Sequence, residues 1–287
     1  MATIVGAITT SHIPSIGKAI ARNLQQDPYW KPFFDGYPRA QEWLKEVRPD
    51  VVVAFYNDHG LNYFLDALPT FGVGAAPEYR NADEGWGIPT LAPILGHQDL
   101  SWHVIEGLVD ADFDVTTCQQ MLVDHAVSLP FALLWPDAEA WPVRLVPITI
   151  NTLQYPFPSP ARCLGLGQAV GRAIESFDED LRVVVFGTGG LSHQLDGTRA
   201  GHINKPFDLM CMEKLVDDPQ ALARYSALDL VREAGAQGFE LVNWIAARGA
   251  LTGAVSQVHS NYHIPISNTA AGLMVLENRP AAMARAA

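Results

Sequence analysis

Residues 4–12, IVGAITTSH, residues 51–59, VVVAFYNDH, and residues 183–193, VVVFGTGGLSH, each run apolar and then end at a histidine. The apolar parts are β-branched and too short for helices, so they read as buried strands. A strand that ends in a polar loop bearing a histidine sets an imidazole at a sheet edge. Three such ends in one domain could meet at His12, His59 and His193. Histidine is the commonest metal ligand and the usual acid or base near neutral pH. The three stretches therefore point to a metal or acid–base site.

Helical spacing separates these strands. Residues 38–47, 99–109, 161–177, 205–215, 219–225 and 238–248 read as helices, with Asp99 or Ser101 as an N-cap and Gly249 as a C-cap glycine. Residues 3–9, 51–56, 113–118, 143–150 and 181–186 read as strands, and 269–277 as a final helix or strand. Residues 62–96 are rich in Gly and Pro and read as a long functional loop region with one short strand. Alternating strands and helices predict a single α/β domain with a central mostly parallel or mixed sheet flanked by helices. Residues 1–280 form the expected catalytic domain, and 281–287 a flexible tail.

Composition sets the outer bounds. With 48% hydrophobic residues the 287-residue chain can bury a sizeable core. Nineteen Lys and Arg against 31 Asp and Glu give a formal charge of −12, and no basic run is present. Nucleic acid is a poor partner for such a chain, and an anionic substrate would need local positive charge. Cys118, Cys163 and Cys211 are scattered, which argues against a disulfide framework and a structural zinc site. The N-terminus has no basic n-region and no 18-residue apolar run occurs, so a cytoplasmic location is expected. The glycines of G-T-G-G at 187–190 lack a following Lys and read as a tight turn before His193 rather than a phosphate loop.

His125, in V-D-H-A, reads as a helix-start residue. His97, His103, His202, His259 and His263 read as solvated or structural. Asp58 and His59 are neighbours and point to opposite sides of an extended segment, so they are poor joint ligands, and Asp58 reads as a cap. No H-E-x-x-H or paired Cys announces zinc. Two histidines and one carboxylate spread along the chain suit non-haem Fe(II). Spacing alone leaves the carboxylate open among Asp58, Asp83, Glu84, Asp124 and Glu240.

A set of motifs then carries a family resemblance. They are S-H-I-P at 11–14, Y-N-D-H at 56–59, D-E-G-W-G at 83–87, V-D-H at 123–125 and G-T-G-G-L-S-H-Q-L at 187–195. R-A-G-x-I-N-K at 199–205, R-E-A-G at 232–235, G-x-E-L-V at 238–242 and Y-H-I-P-x-S-N-T-A at 262–270 complete the set. In this order they make the chain resemble the class II extradiol dioxygenases, in particular the catalytic β subunit of protocatechuate 4,5-dioxygenase. The resemblance implies an Fe(II) held by His12, His59 and Glu240, with O₂ as co-substrate. It implies His193 as the acid–base residue, His125 near the substrate oxygens, and Ser267 and Asn268 near the substrate carboxylate. It implies a catechol acid as substrate, most simply protocatechuate, with gallate or a methoxylated gallate as alternatives. A small α subunit usually lids the family's active site. None is fused in this sequence, so a partner chain and a hetero-oligomer are expected. Ala126, Leu191, His202 and Pro206 depart from the family pattern and bear on substrate identity. A zinc-dependent hydrolase and a non-catalytic α/β binding module are the rival readings.

Overall fold

The computed structural model describes residues 1–85 and 92–279. The expected tail at 281–287, and Trp86 and Gly87 of the D-E-G-W-G motif, lie outside the described residues. Strand β1 (Thr3–Thr10) leads to helices α1 (Pro14–Ala21), α2 (Lys31–Phe34) and α3 (Pro38–Val47). Strands β2 (Val51–Tyr56), β3 (Phe71–Gly74), β4 (Glu78–Asn81) and β5 (Ile94–Leu95) follow, then α4 (Gln98–Asp110), β6 (Thr116–Cys118), β7 (Leu122–Val123) and α5 (His125–Leu134). The second half runs β8 (Arg144–Ile150), α6 (Pro160–Ser176), β9 (Arg182–Thr188), α7 (Lys205–Asp217), α8 (Pro219–Ala223), α9 (Ala227–Ala234), α10 (Leu241–Gly249), β10 (Ala254–Ile266) and β11 (Thr269–Arg279).

Eight strands form one sheet in the order β10-β11-β1-β9-β2-β8-β3-β6. The four central strands, β1, β9, β2 and β8, are parallel, whereas β11 and β3 run antiparallel to their inner neighbours. The expected mixed α/β architecture is the one observed. Parallel strands covered on both faces need apolar side chains on both faces. In β2, Val51, Val53 and Phe55 enter one core, and Val52, Ala54 and Tyr56 enter the other. The first core is built with Leu100 and Val104 of α4, Val170 of α6 and Ile245 of α10. The second is built with Ile16 of α1, Trp43 of α3 and Phe131 of α5.

Several local expectations are corrected. Gly249 does not cap α10; the C-cap is Ala250 at φ −71°. A side chain on Gly249 would strike the Leu164 carbonyl, so close approach between α10 and α6 explains the glycine. The N-cap of α4 is neither Asp99 nor Ser101 but His97, whose Nδ1 accepts from the Leu100 N–H at 3.3 Å. The 62–96 region holds three short strands among its described residues rather than one. Of the two forms expected for 269–277, the strand is the one observed, in the β10–β11 hairpin. The helical run expected at 238–248 begins with a 3-10 turn, Gln237–Glu240, before α10. No helix among the described residues is long and apolar enough to cross a membrane.

Helix α6 meets α10 through small residues. A Cβ on Gly167 would collide with the Ala246 carbonyl, whereas one on Gly165 would meet only the Phe113 ring at 3.7 Å. Gly167→Ala should therefore destabilise the fold by about 1–3 kcal/mol through overpacking. Gly165→Ala should be neutral or stabilising by about 0.5–1 kcal/mol through helix propensity. Urea unfolding midpoints of the two variants check the contrast.

Candidate metal centre

Strands β1, β9 and β2 are adjacent and parallel, so their carboxyl ends lie along one edge. Open α/β sheets present their sites at that edge. His12, His193 and His59 follow these three ends by two, five and three residues, on the segments after Thr10, Thr188 and Tyr56. Glu240 closes the 3-10 turn and enters from the same side. Its Oε2 lies 3.5 Å from His12 Nε2 and 3.9 Å from His193 Nε2, and its Oε1 lies 3.6 Å from His59 Nε2. The four side chains singled out by the sequence thus surround one point.

Glu240 is 6% exposed, and its carboxylate is fixed at both oxygens. Asn57 Nδ2 donates to Oε1 at 3.1 Å, and the Gly190 N–H donates to Oε2 at 2.9 Å. The orientation of Asn57 is set by Asn243, whose Nδ2 donates to Asn57 Oδ1 at 3.2 Å and to the Thr188 carbonyl at 2.8 Å. Gly189 adopts φ +111°, and a Cβ there would lie 2.7 Å from Glu240 Cβ. Only glycine both tolerates that backbone and leaves room for the carboxylate. This is the physical role of the G-T-G-G turn.

His125 is the first residue of α5, as its sequence context indicated. Its ring stacks on His59 with centroids 4.2 Å apart, and ligand atoms of His12, His59 and His125 all lie within 4.8 Å of one another. Two carboxylates anchor two of these rings in the same manner. Asp124 Oδ2 accepts from the His59 backbone N–H at 2.9 Å and faces His59 Nδ1 at 3.0 Å. Glu84 accepts from the His125 backbone N–H at 2.7 Å and faces His125 Nδ1 at 2.8 Å. Each ring therefore turns Nε2 inward. Asp124 also caps α5 through the Ala126 N–H at 2.9 Å. Asp58 bonds the backbone N–H groups of Leu61, Asn62 and Tyr63, so it is a cap and not part of the centre.

The charge balance favours a cation. Burial pushes His12 down to about 4 against the pull of Glu240, so it is neutral at pH 7. His12 Nδ1 pairs with Thr188 Oγ1 at 3.1 Å, while its buried Nε2 has no hydrogen-bond partner. Burial also opposes charge on His59, but Asp124 and Glu240 outweigh it and draw His59 up to about 10. Burial would raise Glu240, yet His12 and His59 hold it well below the usual carboxylate range. Asn57 Nδ2, which donates to Glu240 Oε1, also lies 3.0 Å from His59 Nε2. An orphaned imidazole nitrogen, an ionised carboxylate and a field that attracts positive charge suit a metal ion better than a proton.

The other candidates fall around this centre. A cavity of about 630 Å³ opens onto it, lined by His12, His59, His125, His193 and Glu240 together with Ile13, Lys18, Phe157 and Ser267. Ser267 and Asn268, at φ 48° and 61°, form the tight turn between β10 and β11. Ser267 lines the cavity, and Asn268 lies beside Gly201. Ala126 and Leu191 are buried next to His125 and Ser192. His202 Nε2 bonds the Glu233 carbonyl at 2.9 Å, and Pro206 lies in the first turn of α7.

Residues 6–274 match the family described as the catalytic LigB subunit of aromatic ring-opening dioxygenase. The chain belongs to that family. It is 39% identical over 202 residues to a gallate dioxygenase of Pseudomonas putida, across 70% of this chain and 59% of that protein. It is 32% identical over 194 residues to a 2,3-dihydroxyphenylpropionate/2,3-dihydroxicinnamic acid 1,2-dioxygenase of Photorhabdus laumondii, across 66% of this chain and 56% of that protein. A protein of the same description from Xanthobacter autotrophicus is 27% identical over 288 residues, covering 84% and 90%. The chain thus spans less than two thirds of the first two relatives. An uncharacterized Escherichia coli K12 protein, JW3007, shares the fold at TM-score 0.58 and 13% identity, over 95% of this chain and 99% of that one.

Sequence reasoning did not single out Asn57, Asn243 or the two anchoring carboxylates in their present roles. Asp124 and Glu84 stood only among possible ligands. Partners of this kind commonly tune metal affinity by 10–100-fold. Asp124→Asn in this LigB-family chain should weaken metal binding by about that factor, read by chelator competition. Proton and metal compete for His59, whose pKa is drawn up to about 10. Apparent metal affinity should therefore climb as pH rises from 6 to 9, and a pH-independent affinity would contradict the assigned electrostatics.

Proposed function

We propose that this chain is an Fe(II)-dependent extradiol dioxygenase acting on a catechol acid. The observation that carries the reading is the meeting of two imidazoles and one carboxylate, His12, His59 and Glu240, with His193 Nε2 on their cavity side. Such a set occupies one face of a coordination sphere and leaves positions for substrate and O₂. When bound, the ferrous ion supplies a Lewis-acid seat for the two catechol oxygens and a redox path to O₂.

The remaining chemistry belongs to the protein. His193 Nδ1 donates to the Leu191 carbonyl at 3.0 Å, so Nε2 offers its lone pair to the cavity. There it takes a proton from a substrate hydroxyl and later returns it. The segment that carries His193 is anchored by buried Asp208, which accepts from the Ser192 N–H at 2.9 Å, Ser192 Oγ at 2.6 Å and Tyr262 OH at 2.9 Å. His125, whose Nδ1–H is given to Glu84, would stabilise a substrate oxygen that gains charge by donating from Nε2 once that nitrogen carries a proton. Ile13, Leu153 and Phe157 supply apolar walls that limit water. Ser267 and Asn268 sit toward the carboxylate end. The ring carbon–carbon bond beside the iron-bound pair of oxygens would break and both atoms of O₂ enter the product, which from protocatechuate is a muconate semialdehyde.

Protocatechuate is the simplest substrate, and the gallate dioxygenase relative makes gallate an equal candidate. A partner such as a small α subunit would cover the cavity mouth. Leu153 and Leu195 line the cavity yet stay 41% and 58% exposed. Covering them would exclude water from the reaction.

Anaerobic loading with Fe(II), followed by O₂ uptake over a panel of catechol acids, tests the reading. Uptake with ring-cleaved product is expected. Absence of uptake, or equal activity with zinc, would favour the hydrolase or binding-module alternative. His193→Ala should keep its iron while turnover falls by roughly 10²–10⁴. Glu240→Ala should lose iron, as measured by metal analysis.

A further inference from the structure

Two carboxylates and four imidazoles line the cavity that opens on the metal centre. Glu84 and Glu240 both face it, one engaged with His125 and the other with His12 and His59. The chain as a whole carries a formal charge of −12. The metal of the proposed function would engage the diol, so the carboxylate at the other end of an anionic substrate needs a cation of its own. Among the described residues that line the cavity, Lys18 is the one Lys or Arg.

We propose that the ammonium of Lys18 is the charge partner of the substrate carboxylate and sets the preference for catechol acids over neutral catechols. This rests on the reading of the chain as a catechol dioxygenase. Lys18 stands on α1, the helix that starts two residues after His12. At about 1.5 Å per residue it sits roughly 6 Å along the axis from Pro14, displaced from the metal centre rather than inside it. Ser15 is three residues earlier and shares its helix face. Ser267 Oγ donates to Ser15 Oγ at 3.0 Å and joins the hairpin turn to that face. One wall of the cavity therefore combines two hydroxyls with a flexible ammonium bearing three donors. An aromatic ring that reaches the metal centre with its diol would direct a ring carboxylate away from it, toward such a wall. Lys18 also makes an interaction of its own, so the expected gain is moderate.

The test compares a catechol acid with its methyl ester, using protocatechuate and gallate, on the Fe(II)-loaded protein. Lys18→Met should lower the acid-to-ester ratio of kcat/KM by about tenfold, mainly through KM. Lys18→Arg should restore most of that ratio, and Lys18→Glu should lower it further. Anaerobic titration should show the same loss in Kd for the acid with iron content unchanged. If the unaltered protein consumes O₂ but Lys18→Met leaves the ratio unmoved, the assignment of Lys18 fails while the dioxygenase reading stands. If the unaltered protein consumes no O₂ with any acid or ester, both fail together.

Discussion

Everything at the sheet edge depends on keeping one carboxylate ionised where almost no water reaches it. Glu240 is buried, and a buried carboxylate left alone would take up a proton. The protein prevents this with two hydrogen-bond donors, Asn57 and the Gly190 N–H, and with three imidazole nitrogens within 3.9 Å. Asn57 is locked by Asn243, and Gly190 follows a glycine whose backbone leaves room for the acid. The result is a preformed negative centre that seeks a cation.

The surrounding histidines obey a second constraint, that of ring orientation. An imidazole on a loop can rotate about its side-chain bonds. Asp124 and Glu84 remove that freedom by bonding both the backbone N–H and Nδ1 of a single histidine. Such a clasp fixes ring plane and tautomer together. Asp124 and His125 are sequence neighbours, so the start of α5 serves both clasps at once. Asp124 reaches back to His59, while His125 is itself held by Glu84. A helix cap, usually a device for satisfying backbone donors, here also sets the geometry of the site.

How much of this was legible in the sequence follows from which forces are local. The β-branched runs ending at His12, His59 and His193 declared buried strands, and burial of both faces of β2 follows from its unbroken apolar run. Helices α3, α4, α6 and α7 were visible through periodicity. The α4 cap is hidden from local pattern, because His97 is a rare capping residue whose role depends on its tertiary position. Gly249 was read through backbone conformation when its cause is the nearness of α6. Asn57, Asn243 and Asp124 act across separations of 65 to 186 residues. Spacing along the chain could not pair them. Glu240 was reached through resemblance rather than periodicity, since an acid at a helix start has an ordinary explanation in the macrodipole.

The division between strand ends and helix α1 also separates two tasks. His12, His193 and His59 follow the ends of β1, β9 and β2, whose continuous ladders fix their relative positions, and Glu240 joins them from the 3-10 turn before α10. Lys18 and Ser15 stand on a short helix at the cavity's rim, and Ser267 on a hairpin turn at the sheet's outer side. Changes there can alter what is recognised without disturbing His12, His59 or Glu240. A carboxylate-reading wall on α1 and a metal centre at the strand ends could therefore vary separately within one scaffold. This is the arrangement expected where related chains keep one ring-opening chemistry while acting on different aromatic acids.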